Sequence, residues 1–259
     1  MAKFSANLTM LFTEVPFLDR FAAAAKAGFR GVEYVSPYEY YPGDIADRLK
    51  ASRLQQVLFN LPVGDWAAGE RGIAILPERV DEFRAGIATA MRYARALSCP
   101  QVNCLAGIAP ANADAQVLRQ TLIENLTYAS AELARASIRL LIEPINTRDM
   151  PGFFLNTSAQ AADIIARVAS PNLFLQYDVY HMHIMEGDWA ATIARNFPLI
   201  KHAQIADAPG RHEPGTGEID FPAVLAHLTQ LGYDGWIGAE YKPAATTLEG
   251  LGWLKRLQA

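Results

Sequence analysis

The chain has 259 residues, a net charge of −4 at neutral pH and a hydrophobic share of 51%. That length suits one α/β barrel, and the apolar share supplies its core. The acidic balance leaves no basic face, which argues against nucleic acid as a partner.

The opening residues, Met1-Ala-Lys-Phe-Ser, lack the apolar stretch of a signal peptide, and no segment reaches transmembrane length. A cytoplasmic protein with no membrane partner is expected. In chain order, residues 3–8 read as a first strand. Residues 16–27 read as a helix with Phe17, Leu18 and Phe21 on one face, closed by Gly28. Strand two covers 31–35, a short helix 44–51 and strand three 55–60. The loop 61–74 is long and aperiodic, a length found mainly in functional or disordered segments; Trp66, Ile73 and the adjoining Ile75 favour order. The helix 77–96 carries Phe83, Ile87, Met91 and Ala94 at helical spacing. Strand four covers 101–107 and a long helix 114–135. Cys99 and Cys104 are too few for a disulfide framework and read as core filler in a reducing compartment.

Strand five lies in Arg139-Leu-Leu-Ile-Glu-Pro-Ile-Asn146. Its unbroken apolar run marks a strand buried on both faces, as in a parallel sheet. Thr157 caps a helix through 168, strand six covers 173–178, a helix 188–196 and strand seven 200–207. The loop 208–218 leads to a helix over 222–231, strand eight over 235–240 and a closing helix over 247–257. Eight strands alternating with eight helices predict a parallel sheet closed into a (β/α)8 TIM barrel, one domain over 1–259. An open doubly wound sheet is the runner-up, but no Gly-x-Gly-x-x-Gly follows the first strand.

A carboxylate closing a buried strand is costly unless something compensates it. Four strand ends carry such oxygen groups: Glu143, Asp178, Gln204 and Glu240. In a barrel these ends face one cavity, where active sites lie. Three carboxylates there repel unless protonated or bound to a cation, and all-oxygen ligation favours Mg2+ or Mn2+ over zinc. The alternative is that each acid separately caps a helix or pairs with a surface base.

Several segments carry a family resemblance: Phe4-Ser-Ala-Asn-Leu8, Asn60-Leu-Pro-Val-Gly-Asp-Trp66 continuing through Ala74, Glu143-Pro-Ile-Asn146, Gln176-Tyr-Asp-Val-Tyr-His181, Arg211-His-Glu-Pro-Gly-Thr-Gly-Glu-Ile219 and Gly238-Ala-Glu-Tyr-Lys-Pro243. Over essentially its full length the chain resembles the hydroxypyruvate isomerases of the xylose-isomerase-like barrel family. The resemblance implies that Glu143 and Glu240 are a catalytic acid/base pair, and that Glu143, Asp178, Gln204 and Glu240 form a metal quartet. Related ketose epimerases have a His where Gln204 stands. The implied reaction interconverts hydroxypyruvate and tartronate semialdehyde, an aldose–ketose type of isomerisation through an enediolate. The implied partner is a small 2-oxo acid, and the resemblance leaves a homo-oligomer open.

The substrate carboxylate calls for a cation. Arg71, Arg211 and Lys242 are the candidates, with Arg71 preferred for its anchored, glycine-rich loop; a solvated loop charge is the bland reading of each. His181 is a candidate hydrogen-bonding partner of the substrate, with a structural role equally open. Glu33 reads as a supporting acid or a salt-bridge partner, Asp207 as a residue that orients the seventh loop, and His202 as packing. Within the same fold the rival activities are a 2-oxo-tetronate isomerase and a ketose epimerase, and the non-enzyme rival is a sugar-acid-binding protein. Zinc-dependent apurinic endonucleases share the barrel, but five scattered His and a net charge of −4 fit them poorly.

Overall fold

The apolar runs read from the sequence become strands, and their burial explains why. In a computed structural model describing residues 2–258, eight strands pair in parallel and close into a barrel in sequence order. They are β1 (Lys3–Asn7), β2 (Gly31–Tyr34), β3 (Gln55–Asn60), β4 (Gln101–Cys104), β5 (Arg139–Ile142), β6 (Leu173–Asp178), β7 (Ile200–Ile205) and β8 (Trp236–Ala239). Closure comes from β8 pairing with β1, Lys3 opposite Trp236 and Ala6 opposite Ala239. The expected fold class is therefore the observed one.

The helices α1 (Phe17–Lys26), α2 (Pro42–Ser52), α3 (Val80–Ala96), α4 (Ala115–Arg135) and α5 (Ser158–Val168) follow the first five crossovers. They are joined by α6 (Val179–Glu186), α7 (Trp189–Asn196), α8 (Phe221–Gln230), α9 (Thr247–Gly250) and α10 (Gly252–Gln258). The main apolar core lies between helices and barrel. Leu140 and Ile142 are fully buried in it with Leu122, Leu126 and Ile164, so truncating either strand residue to Ala would cost about 2–5 kcal/mol. A second, small cluster of Val57, Leu58 and Leu141, with Phe174 and Trp236 against it, draws on β3, β5, β6 and β8, from around the barrel. It therefore lies inside the barrel, in the part before the strand ends. No helix among the described residues is long and apolar enough to cross a membrane.

Four local differences from the sequence reading have physical causes. The helix α6 was not foreseen: Val-Tyr-His-Met-His-Ile-Met is apolar or bulky throughout, so it shows no helical stripe, and its first four residues are all buried. The closing helix is two pieces broken at Leu251 between two glycines, the first fixed by a Thr246–Glu249 capping box. A 3-10 turn over Pro77–Arg79 replaces the expected first turn of α3. Strand four ends at Cys104 because the residues beyond it bond the long third loop instead: Ile75 N–H donates to the Ala106 carbonyl.

Candidate active site

The inside of the barrel is unusually polar near the strand ends. Asn7, Glu33, Asn103, Gln176, Asp178, His202 and Gln204 are all buried there. Side chains alternate along a strand, so Gln176 and Asp178 of β6, and His202 and Gln204 of β7, point to one side. Pairing aligns them: Gln176 lies opposite His202, and Asp178 opposite Gln204. Glu143 follows directly on β5 and Glu240 on β8. Glu143, Gln176, Gln204 and Glu240, with Asn7 and Asn60, line an inner chamber of about 20 Å³, room for one water, ion or small substrate group.

Burial sets the chemistry of these acids. Desolvation, then the nearby Glu240 and Asp178 charges, raise the Glu143 carboxyl well above the ordinary range. Desolvation also raises Glu240, opposed chiefly by Arg211. Asp178 is raised by burial and opposed first by Arg211. Both glutamates therefore hold their protons to higher pH than an ordinary carboxyl, a condition that suits proton transfer. Asn103 Nδ2 donates to Glu143 Oε2 at 2.9 Å.

The cation in this acidic cluster is Arg211. Its Nη2 stands 3.3 Å from Glu240 Oε1 and 3.7 Å from Asp178 Oδ2. Asp207 builds the loop that aims it, as the sequence suggested. Asp207 Oδ1 accepts from the Ala208 and Ile219 amides, and its Oδ2 from those of Gly215 and Gly217. A Cβ on Gly217 would lie 2.0 Å from the Ala208 carbonyl, so that turn admits only glycine. Arg211 itself sits at φ 58, a left-handed conformation that a bulky residue adopts only under constraint. The Lys242 amide holds it there by donating to the Arg211 carbonyl at 2.7 Å.

Arg211 also borders an outer cavity of about 390 Å³, whose walls include Arg71, Arg148, Tyr180 and Lys242. All three cations proposed from the sequence thus line one mouth. Arg71 is held with its guanidinium 3.7 Å from the Trp66 ring centroid and donates to the Trp66 and Glu70 carbonyls. Arg148, which the sequence reading passed over, is the fourth.

His181 is buried, and burial followed by the Arg211 charge holds it well below the usual imidazole range, so it is neutral. Asn146 Oδ1 accepts from the Asp149 amide, which turns Asn146 Nδ2 toward His181 Nδ1 at 2.7 Å. His181 Nδ1 is then an acceptor, and the proton rests on Nε2. That Nε2 lies 3.5 Å from Asp178 and 3.9 Å from Glu143. Glu143, Asp178 and His181 offer ligand atoms within 4.8 Å of one another, and Asp178 Oδ2 is buried without a hydrogen-bond partner. The carboxylates therefore fit a divalent cation, whereas the protonated His181 Nε2 fits a donor better than a ligand. Gln204 is brought to the site, but its Oε1 accepts from Gln176 and its Nε2 donates to Glu33.

The sequence reading missed Gln176, Asn103 and Asn146. For Gln176 the available signal was the period of two, since it lies two residues before Asp178 on one strand; Asn103 and Asn146 stand at no such spacing from a site acid. His202, read as packing, instead faces Glu33, its Nε2 3.0 Å from Oε2. Cys99 and Cys104 are buried free thiols, as expected, and burial pushes both up to about 12.

The family model of the xylose isomerase-like TIM barrel matches residues 21–257. The chain is 50% identical over 254 residues to the hydroxypyruvate isomerase of Escherichia coli, covering 98% of each chain. It is 49% identical over 255 residues to the 2-oxo-tetronate isomerase of Cupriavidus necator, again covering 98% of each. A crystal structure described as an AP endonuclease, family 2, from Brucella melitensis superposes with a TM-score of 0.97 at 45% identity, covering 99% of each chain.

Proposed function

The chain belongs to the xylose isomerase-like TIM barrel family and is an isomerase, and from that premise we propose that it interconverts hydroxypyruvate and tartronate semialdehyde. The observation that carries the reading is the buried Glu143 and Glu240 pair on one small chamber, with Arg211 between it and a cation-lined mouth. The substrate carboxylate sits among Arg211, Arg71 and Lys242, and its reacting carbons reach the glutamates. Arg211 stands closest to Glu240, 3.3 Å away, and favours charge there, which supports Glu240 as the base that removes the C3 proton. Glu143, raised by burial and by the Glu240 charge, delivers a proton to C2. The intermediate is an enediolate, in which the proton of the C3 hydroxyl passes to the C2 oxygen, and the His181 Nε2–H donates to one of these oxygens.

Glu143 and Asp178, with Glu240 and the Gln204 amide oxygen completing the set, are the residues that would hold Mg2+ or Mn2+. Such an ion would supply electrophilic stabilisation of the negative charge that develops on substrate oxygen. Gln204 joins only if its oxygen turns away from Gln176, so the three carboxylates carry most of that set.

A second reading, a four-carbon 2-oxo-tetronate, is favoured by the 49% identity to the isomerase of that name. The endonuclease description is that of the Brucella protein. A net charge of −4 and a catalytic chamber of about 20 Å³ speak against a DNA substrate here. The test is to assay purified protein with hydroxypyruvate and with 2-oxo-tetronate, coupling each product to a reductase. Faster turnover of the four-carbon acid would replace the first reading with the second. Turnover of neither would leave a sugar-acid-binding role.

A further inference from the structure

From the wall of the catalytic chamber, at Gln176 and Gln204, a buried polar chain runs back to Glu33. Glu33 of β2 is fully buried. Its Oε2 accepts from Ser5 Oγ at 2.7 Å and lies 3.0 Å from His202 Nε2. Its Oε1 accepts from Gln204 Nε2 at 2.7 Å. Gln204 Oε1 accepts in turn from Gln176 Nε2, also at 2.7 Å. Gln204 and Gln176 line the same inner chamber as Glu240 and Glu143, and each amide lowers a carboxyl there, Gln204 that of Glu240 and Gln176 that of Glu143. The barrel gives up a side chain to admit this acid: a Cβ on Gly238 would lie 2.2 Å from Glu33 Oε1.

A primary amide turned end for end keeps its shape, so its partners alone fix its sense. A carboxylate only accepts. Glu33 therefore demands nitrogen from Gln204, which leaves the Gln204 oxygen to Gln176, which must then offer nitrogen too. The outcome does not favour Gln176 locally, because its Oε1 is buried without a partner. The sense is imposed from the far end of the chain.

We infer that Glu33 is a positioning residue which, acting through Gln204 and then Gln176, keeps amide N–H donors turned toward both Glu240 and Glu143. With the sense reversed, each amide would set a carbonyl oxygen against a glutamate oxygen. Two donors would be lost and two repulsive contacts made. The role in turnover rests on Glu143 and Glu240 being the proton-transfer pair; the geometry of the relay does not.

The test is Glu33→Gln, nearly identical in shape but able to donate. Turnover number falls about 10- to 100-fold, the size of one hydrogen bond to a charged group, with a smaller change in KM and a retained cooperative unfolding transition. In a Gln204→Leu background the same substitution has no further effect, since its route is gone; additive losses would overturn the inference. A second readout needs no reaction: with glutamine side chains labelled with 15N, Glu33→Gln moves the side-chain amide signals of both Gln204 and Gln176. A change at Gln204 alone overturns the relay, even if the wild-type chain turned over no 2-oxo acid. Should Glu33→Gln fail to fold, Glu33→Asp, which withdraws the acceptor by one methylene, is read by the same outcomes.

Discussion

Arg211 Nη2 stands 3.3 Å from Glu240 Oε1, inside a cluster where the carboxyls of Glu143, Asp178 and Glu240 are all held above their ordinary range. In each of the three, the guanidinium opposes that rise. Arg211→Leu therefore raises all three further, and the acid limb of the pH–rate profile moves to higher pH. Turnover at neutral pH falls as less base is available, and KM rises with the lost carboxylate contact. An acid limb that stays in place would show that Arg211 acts on substrate alone.

The two glutamates separate by isotope exchange. Glu143→Gln keeps the proposed base, so hydroxypyruvate in deuterated water still exchanges its C3 protons while net isomerisation falls about 10²- to 10⁴-fold. Glu240→Gln loses exchange and isomerisation together. Mass spectrometry of recovered substrate reads both, and exchange surviving only in Glu240→Gln would reverse the assignment.

Glu143 also carries a stability consequence with a definite sign. Its folded-state carboxyl is raised above the ordinary value of 4.5, so between those values the folded chain binds a proton that the unfolded chain has released. Stability then falls as pH rises through the window. Glu143→Gln removes the term, and the variant unfolds at a higher temperature than wild type in chelator-treated samples near about pH 8. The shift amounts to about 2–4 °C for each kcal/mol recovered, and the gap closes toward pH 4.5. Glu33 has the opposite sign: its carboxyl is lowered, so its contribution is lost as pH falls. Calorimetric melts across pH check both.

A divalent ion should show itself without turnover. Mg2+ or Mn2+ at a hundred times its dissociation constant stabilises the fold by about 2.7 kcal/mol. Asp178→Asn, which converts the partnerless Oδ2 into an amide, removes most of that gain. Unchanged melting with either ion in wild type would exclude a resident metal at these residues.

Arg71 tests the mouth rather than the chemistry. Its guanidinium is fixed over Trp66 and borders the outer cavity. Arg71→Ala raises KM about 10-fold with turnover number nearly unchanged, the pattern of lost uniform binding. A fall in turnover number at constant KM would mean that Arg71 acts on the transition state instead.

Residues such as Leu140 to Ile142 made the strands legible, because an apolar run buried on both faces leaves a pattern in a single sequence. Glu143, Asp178, Gln204 and Glu240 were legible as candidate site residues for a related reason: polar groups at the ends of such runs are expensive unless used. Gln176, Asn103 and Glu33 were less so, since one amide or acid inside a strand resembles many that simply meet solvent. The helix α6 escaped because His181, His183 and Glu186, scattered among bulky apolar residues, set no helical period.

By itself the sequence determined the eight strands, their parallel closure and the side chains that gather where the strands end. Local apolar patterning and chain connectivity suffice for that. Only the tertiary structure decided what those side chains meet. The entry of the Arg211 guanidinium between Glu240 and Asp178, the tautomer that Asn146 imposes on His181 and the amide sense set by Glu33 each join residues from separate strands or loops. Hydrogen-bond direction and desolvation depend on such neighbours, and neighbours across a barrel leave no local trace in the chain.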